Sequence, residues 1–251
     1  MEASKSTIVA ALAGALVGGV IVSVLRSRRS KSSKKMTLHY FDIAGKAEAT
    51  RLAAVFGGLS LHDNRLTREE FLQMKPNLPY GQVPILELED GTMIGQSAAI
   101  LRFVGKQAGL YPVDDDILAS KIDSLLDEEI DFFTGVTVSR YPTRFGFALI
   151  EPGSAEHATV RKSLNDEILP KHLAFLDKVL KNSSTGWLAD TPGPTVADFC
   201  FVPRLQWLVA PGINDGIDTD LITSKFPRVQ AFIDKFMDLP AIKAYYEARQ
   251  S

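Results

Sequence analysis

A short stretch in the first half of the chain constrains the fold more than any other. It runs from residue 78 to residue 88 and is followed by Gln96-Ser97. Residues 85–89 have the branched, apolar composition of a strand, and Asp90-Gly91 is a strong hairpin signal. Residues 92–94 can return as the antiparallel partner. The pattern therefore predicts a hairpin that leads into a helix.

The residue before this strand is a proline. Pro84 cannot donate to a strand ladder, so it occupies either an edge position or a fixed bend, of which a cis Val83–Pro84 bond is one form. A bend there leaves the N–H and C=O of Val83 open to pair with an extended peptide. Ser97 is predicted as the N-cap of a helix over residues 98–105, whose first free amides suit a carboxylate. These residues fit a receptor for a small acidic peptide, and equally an ordinary hairpin and capped helix.

The segment resembles the glutathione-binding half of the cytosolic glutathione transferases. Their aromatic-Gly-any-aliphatic-Pro pattern stands here as Tyr80-Gly81-Gln82-Val83-Pro84, and their Gln-Ser at a helix start as Gln96-Ser97. Tyr40-Phe41 followed by Gly45-Lys46-Ala47-Glu48 is similar to the sigma class, which includes the haematopoietic prostaglandin D synthases. The resemblance covers about residues 37–246. It implies an α/β thioredoxin-like N-terminal domain over residues 36–110 and an all-α C-terminal domain over residues 111–251, the glutathione transferase fold.

The coarse element pattern agrees with that fold. A strand at 37–41, a helix at 46–56, a strand at 59–64 and a helix start at Thr67 precede the hairpin, which predicts a four-stranded mixed sheet. Beyond residue 111 only helices are expected, and Thr195-Val196-Ala197-Asp198 has the form of a capping box. The expected helices are 117–135 with a continuation over 136–147, 155–182 broken near Pro170, 195–209, 226–237 and 240–249.

The resemblance assigns the catalytic role to Tyr40, at the end of the first strand. A thiol near its usual pKa is mostly protonated at neutral pH, and only the thiolate is a good nucleophile. A hydroxyl donor aimed at the sulfur favours the thiolate and lowers the pKa of the thiol. Tyr40 would therefore activate glutathione without a covalent intermediate. As a plain strand residue it would be a half-buried aromatic side chain.

Further glutathione contacts carry over from the family. Gln82, Val83 and Pro84 would hold the cysteinyl backbone by strand addition, and Gln96 and Ser97 would bind the γ-glutamyl carboxylate. The remaining positions with an implied role are Phe41 beside the thiol, Lys75 at the glycyl carboxylate, and Lys46 and Phe71, which replace the Arg and Trp common in the sigma class.

A dimer and an electrophile site also follow from the resemblance. Asp131 aligns with the acid that reaches the glutathione of the partner subunit, so a homodimer is expected. An electrophile site is expected between the domains, with Arg140, Tyr141, Arg144 and Phe145 as candidates. Each of these charges has an alternative reading as a solvated helix face.

Composition excludes several classes. Seven of the 28 basic residues and one of the 30 acidic residues lie in residues 1–35, so the rest of the chain has a net charge of −8, which does not suit nucleic acid. Cys200 is the only cysteine, so no internal disulfide forms, and mixed-disulfide chemistry, which needs a cysteine near the first strand, is not expected. The four histidines lack ligand spacing, and Ile130 replaces one acid of the family's interface metal cluster, so no metal is expected.

The N-terminal segment predicts a membrane anchor. Residues 7–25 carry no charge, and as a helix they would be roughly 28 Å long, enough to span a bilayer. Basic residues follow the run rather than precede it, which favours an uncleaved single-pass anchor with the remaining chain in the cytosol. A removable targeting sequence is the alternative.

The sequence therefore predicts a membrane-anchored glutathione transferase, with glutathione as co-substrate, that adds the thiol to a small apolar electrophile or a peroxide. A glutathione-dependent prostaglandin-type isomerase is the enzymatic alternative. A non-catalytic binding or scaffold module of the same fold is the third.

Overall fold

The computed structural model describes residues 35–249. The N-terminal part is a four-stranded mixed sheet of order β2-β1-β3-β4, in which β1 runs parallel to β2 and antiparallel to β3, and β4 is antiparallel to β3. Because β1 lies inside the sheet, its Leu38 is fully buried. Residues 36–39 are paired on both sides, whereas Tyr40 and Phe41 pair with β2 alone. The strands are β1 (Met36–Phe41), β2 (Leu61–Leu66), β3 (Ile85–Leu88) and β4 (Met93–Gly95).

Three helices accompany this sheet, as a thioredoxin-like domain requires. Thr67 and Glu70 form a reciprocal capping box at the start of the second helix, where the sequence predicted a helix start. Leu52 and Ile100 are fully buried and lie on the first and third helices. The helices are α1 (Glu48–Phe56), α2 (Arg68–Met74) and α3 (Ser97–Ala108).

The rest of the described chain is helical. The helix predicted over 155–182 is broken by a π-helical turn at Leu164–Ile168, just before Pro170. The predicted continuation to residue 147 is wrong, because Pro142 cannot extend the preceding helix and a 3₁₀ turn, Pro142–Phe145, follows it. The helices are α4 (Asp116–Arg140), α5 (Ala155–Ser163), α6 (Leu169–Asn182), α7 (Val196–Leu208), α8 (Leu221–Lys225), α9 (Pro227–Met237) and α10 (Pro240–Glu247).

Helix α7 forms the centre of the helical domain and contacts the thioredoxin-like domain. The predicted capping box at its start is present, and the fully buried carboxylate of Asp198 accepts from the backbone N–H of Leu188 at 2.9 Å and of Thr195 at 2.6 Å. Burial raises the pKa of Asp198 to about 6. Val196 N donates to the carbonyl of Leu110 at 3.0 Å, so the start of α7 is also tied to the end of the thioredoxin-like domain.

The predicted membrane anchoring needs correction. Within residues 35–249 no helix is both long and apolar enough to cross a bilayer. The longest of them, α4, has 25 residues but carries charged side chains along its length, so it does not qualify. The apolar run at residues 7–25 lies outside the described residues. The prediction of a single-pass, membrane-anchored protein facing the cytosol is wrong by this test.

Candidate functional site

The open edge predicted at the proline is present. Val83–Pro84 is a cis peptide bond, Pro84 is buried, and Gln82 is exposed. No backbone group of residues 35–249 hydrogen-bonds to the N–H or C=O of Val83. The bend thus presents one free donor and one free acceptor at the N-terminal end of β3, which is what an added peptide strand requires.

The helix start beside this edge differs by one residue from the prediction. Gln96, not Ser97, is the N-cap of α3, and Ser97 is the first helical residue. Gln96 has φ +72°, a conformation that costs a residue other than glycine about 1–3 kcal/mol and is concentrated at ligand sites. Its side chain is exposed and makes no hydrogen bond within the described chain. The strained backbone therefore directs an unpaired amide and the first free N–H groups of α3 toward solvent.

Tyr40 lies at the end of β1 with 8% of its surface exposed. Its hydroxyl oxygen accepts from the backbone N–H of Lys46 at 3.2 Å. The loop passes so close that a Cβ on Gly45, which has φ +46°, would lie 2.6 Å from the hydroxyl, so only glycine fits there. Burial raises the pKa of Tyr40, whereas the Lys46 N–H opposes that rise. The hydroxyl consequently remains protonated at neutral pH, and no described residue accepts its proton.

Sequence reasoning missed Arg51, which fixes the turn after Tyr40. Its side chain is 2% exposed and donates to the carbonyl oxygens of Ile43 at 2.7 Å and Ala44 at 3.3 Å. It also pairs with the buried carboxylate of Glu48 at 3.2 Å and with Asp63 at 3.0 Å. The available signal was its spacing: Arg51 follows Ala47 by four residues, so in the predicted helix both lie on one face together with apolar residues such as Ala54.

A second missed feature joins the two domains beside Tyr40. The Lys46 Nζ lies 3.7 Å from the carboxylate of Glu129 on α4, and Arg204 Nε on α7 donates to the same carboxylate at 3.0 Å. We name Lys46, Glu129 and Arg204 the interdomain charge cluster. The Glu129 side chain is 4% exposed, that of Arg204 11% and that of Lys46 39%. The positive charge of Arg204 lowers the pKa of Tyr40, so the cluster acts electrostatically on the hydroxyl.

Aromatic rings flank the end of β1. The ring of Phe41 lies 5.7 Å from that of Tyr40 and meets the ring of Phe71 edge to face at 5.3 Å. The exposed Lys75 places its Nζ 6.0 Å from the Phe71 ring centroid. The structure thus brings Phe71 and Lys75, from α2 and the turn after it, next to the segment that holds Tyr40, Phe41 and Lys46.

The predicted electrophile-site residues divide into two groups. Arg140 donates to the carbonyl of Ile213 at 2.7 Å, so its guanidinium is engaged with a loop. Tyr141 is half-exposed, and its electrostatic interaction with Tyr40 raises the pKa of Tyr40. Arg144 and Phe145 are exposed in the 3₁₀ turn. The structure therefore associates Tyr141 with Tyr40 and shows no such interaction for Arg144.

Asp131 is exposed on α4 and makes no ion pair with any described residue. It is free to receive a group from another molecule. Across residues 35–249 no group of three or more His, Cys, Asp or Glu side chains is placed to hold a metal ion.

Comparison with known proteins gives consistent results across the chain. Residues 36–106 match the family model described as glutathione S-transferase, N-terminal domain, and residues 143–249 match the glutathione S-transferase C-terminal domain. A glutathione S-transferase of Anopheles gambiae is 30% identical over 84% of this chain and 95% of its own length. Glutathione S-transferase 1 of Ascaris suum is 32% identical with the same coverage.

Solved structures and one further relative extend the comparison. The structure of prostaglandin synthase D of Nilaparvata lugens superimposes with a TM-score of 0.72 at 29% identity, covering 86% of this chain and 98% of the other. The haematopoietic prostaglandin D synthase of Gallus gallus is 29% identical over 84% of this chain and 95% of its own length. The chain belongs to the glutathione S-transferase family and is a glutathione transferase, with a thioredoxin-like N-terminal domain and a helical C-terminal domain.

Proposed function

We propose that this transferase activates the glutathione thiol by a hydrogen bond from Tyr40 to the sulfur. The observation that carries the proposal is the buried hydroxyl, whose oxygen already accepts from the Lys46 N–H while its proton has no acceptor among the described residues. A donor in this position stabilises the thiolate more than the thiol and so lowers the pKa of the thiol. Because burial raises the pKa of Tyr40, the tyrosine does not compete by losing its own proton.

The glutathione would lie along the open edge next to the end of β1. Val83 offers the backbone donor and acceptor for the cysteinyl residue, with Gln82 and Pro84 shaping the edge. Gln96 and Ser97 would bind the γ-glutamyl carboxylate, since the start of α3 combines a free amide side chain with unpaired N–H groups. Lys75 would meet the glycyl carboxylate as a point charge beside Phe71.

The electrophile would enter between the two domains. Phe41 and Tyr141 supply apolar surface there. The interdomain charge cluster holds the positive charges of Lys46 and Arg204 around Glu129, and the charge of Arg204 acts on Tyr40. Two cations around one carboxylate leave a net positive charge, which favours a thiolate nucleophile. Small apolar electrophiles and peroxides are the substrate class that this arrangement supports.

The active unit would be a homodimer. Asp131 is exposed and unpaired on α4, and the neighbouring Ile130 exposes 48% of its surface, while Tyr80 exposes 62%. An apolar side chain this exposed beside a free carboxylate on α4, and a second exposed aromatic side chain before β3, are consistent with a surface that a second copy covers. Sedimentation of the full chain tests the dimer, and a monomer at micromolar concentration would contradict it.

We also propose membership of the sigma class. The Tyr40-Phe41 and Gly45-Lys46-Ala47-Glu48 motifs support this assignment.

A prostaglandin-type isomerase is the second candidate. Two proteins with similar sequence or structure are named prostaglandin D synthases. The same thiolate would serve either reaction, so the two functions differ in the electrophile pocket rather than in Tyr40. Turnover of a prostaglandin endoperoxide at a kcat/KM well above that for aryl halides would favour the isomerase.

Steady-state kinetics of the full chain test the main proposal. Conjugation of glutathione to a generic aryl halide is compared for the wild type, Tyr40→Phe and the control Tyr111→Phe, whose hydroxyl bonds Asp123 at 3.0 Å. Loss of one hydrogen bond to a charged group, about 1.5–3 kcal/mol, predicts a fall in kcat/KM of roughly 10- to 150-fold for Tyr40→Phe. The control should retain the wild-type rate. Equal rates in wild type and Tyr40→Phe would refute the assigned role.

A further inference from the structure

A buried arginine in the helical domain has no function in the transferase mechanism. Arg161 on α5 is 4% exposed, and its side chain makes one hydrogen bond within residues 35–249, from Nε to the His157 Nε2 at 3.4 Å. No described carboxylate forms an ion pair with it, and its NH1 nitrogen is buried without a partner. A guanidinium carries five N–H donors and stays charged, so burying it in this state is costly.

Arg161 lines a cavity of about 430 Å³. Burial and the nearby positive charge of Arg140 lower the pKa of Arg161, and Asp215 opposes that effect without reaching ion-pair distance. The residues around the cavity come from α5 and its N-cap, the π-helical turn and the loop before α8, and they include Ser154, His157, Arg161, Asn165, Asp215 and Gly216.

The walls of the cavity are fixed by specific contacts. Asn165 in the π-helical turn donates to the Asp218 carboxylate at 2.9 Å and accepts from the Asp218 N–H at 2.8 Å. Asn214 Nδ2 donates to the carbonyl oxygens at the end of α7, at 3.0 and 3.1 Å. Gly216, with φ +73°, brings its backbone so near to Arg161 that a Cβ there would lie 2.9 Å from the arginine Cβ. The arginine is therefore held in place by the same loop that closes one side of the cavity.

We propose that this cavity binds a small organic molecule bearing a carboxylate or phosphate, which pairs with the guanidinium of Arg161. Both groups match the planar donor fork of arginine and receive two parallel hydrogen bonds from it. The volume falls within the range of sites for small molecules and exceeds the space that a bare ion needs. None of the cavity residues belongs to the glutathione or electrophile sites, so the ligand binds independently of the transferase substrates.

Binding of two probes to the full chain tests the site. Benzoate and phenyl phosphate are titrated by calorimetry at an ionic strength held constant with sodium chloride, and the two arms distinguish carboxylate from phosphate. We expect one saturable site in the wild type for at least one probe, and at least tenfold weaker binding in Arg161→Met. The matched control is Lys162→Met, because Lys162 also lines the cavity but is exposed and paired with Asp166. It should bind within about threefold of the wild type.

A second variant covers the case in which Arg161→Met does not fold. Ala158 lines the cavity and is exposed, so Ala158→Leu narrows the space while it retains the guanidinium and the helix. It should also weaken binding at least tenfold. Without ligand, Arg161→Met should unfold at the same or a higher denaturant concentration than the wild type, since an uncompensated buried charge has been removed.

Three results would overturn the proposal. The first is that neither probe binds the wild type, which would mean that water alone satisfies Arg161. The second is that a folded Arg161→Met or Ala158→Leu variant binds with wild-type affinity. The third is that saturating S-hexylglutathione displaces the probes, which would place them at the transferase site.

Discussion

Replacing Glu129 by Gln removes the anion that joins the two domains beside Tyr40. At the observed separations and an effective dielectric constant of about 20, the attraction is about 5.5 kcal/mol for Arg204 and about 4.5 kcal/mol for Lys46. Two effects make the net loss smaller than this sum. Solvent screens the Lys46 interaction, because the Lys46 side chain is 39% exposed, and the uncharged Gln avoids the desolvation cost of a buried carboxylate. We therefore expect Glu129→Gln to lower the free energy of unfolding by about 3 kcal/mol.

The assay is urea unfolding of the full chain followed by circular dichroism, with thermal unfolding alongside. A loss of about 3 kcal/mol corresponds to a fall in Tm of roughly 6–12 °C for a protein of this size. The control is Glu128→Gln, the same change at the adjacent residue, whose carboxylate is 33% exposed and bonds His172 at 2.6 Å. The control should lose less than about 1 kcal/mol.

A second variant identifies the cause of the loss. Combining Glu129→Gln with Arg204→Met should restore part of the stability, because the uncompensated guanidinium is then also removed. The reasoning fails if Glu129→Gln lowers the free energy of unfolding no more than Glu128→Gln does. It also fails if the loss in the double variant equals the sum of the losses in Glu129→Gln and Arg204→Met measured singly.

Three further results follow from the contacts described above. Asp198→Ala should destabilise the protein by about 2–4 kcal/mol in urea unfolding, because the buried N–H groups of Leu188 and Thr195 lose their acceptor; a loss under about 1 kcal/mol would contradict this. Gln96→Gly should leave the free energy of unfolding unchanged or raise it by up to about 1 kcal/mol, since glycine adopts positive φ freely. The same variant should raise the KM for glutathione several-fold, and an unchanged KM would count against the site. Burial raises the pKa of Tyr40, and only the protonated hydroxyl donates a hydrogen bond. The rate of conjugation should therefore stay constant from the pKa of the bound thiol up to at least about pH 9. A decrease in that rate below about pH 9 would contradict the role assigned to Tyr40.

Local signals in the sequence were sufficient for much of the fold and part of the site. The proline bend at Val83–Pro84, the helix start at Thr67 and the capping box at Thr195 each depend on residues within a few positions of one another, and all three are present. The N-cap of α3 differed by one residue, since Gln96 takes a positive φ that no local propensity favours.

The parts of the site that escaped prediction depend on distant contacts. Arg204 and Glu129 are 75 positions apart, and each taken alone has the character of an ordinary charge on a helix. Arg51 pairs with Asp63 across a turn and a strand, so its burial becomes evident only once α1 packs on the sheet. The membrane prediction failed for a different reason. It rested on the hydropathy of residues 7–25 and on the basic residues that follow them, and the described chain offers no spanning helix.

The most direct test of Tyr40 is the pKa of the thiol of bound glutathione. It is measured by following the ultraviolet absorbance of the thiolate in the complex across pH, for the wild type, Tyr40→Phe and Tyr111→Phe. One hydrogen bond to a charged sulfur predicts a pKa about 1–2 units below that of free glutathione in the wild type and the control, and loss of that shift in Tyr40→Phe. A thiol pKa equal to that of free glutathione in the wild type, or an undiminished shift in Tyr40→Phe, would contradict the account.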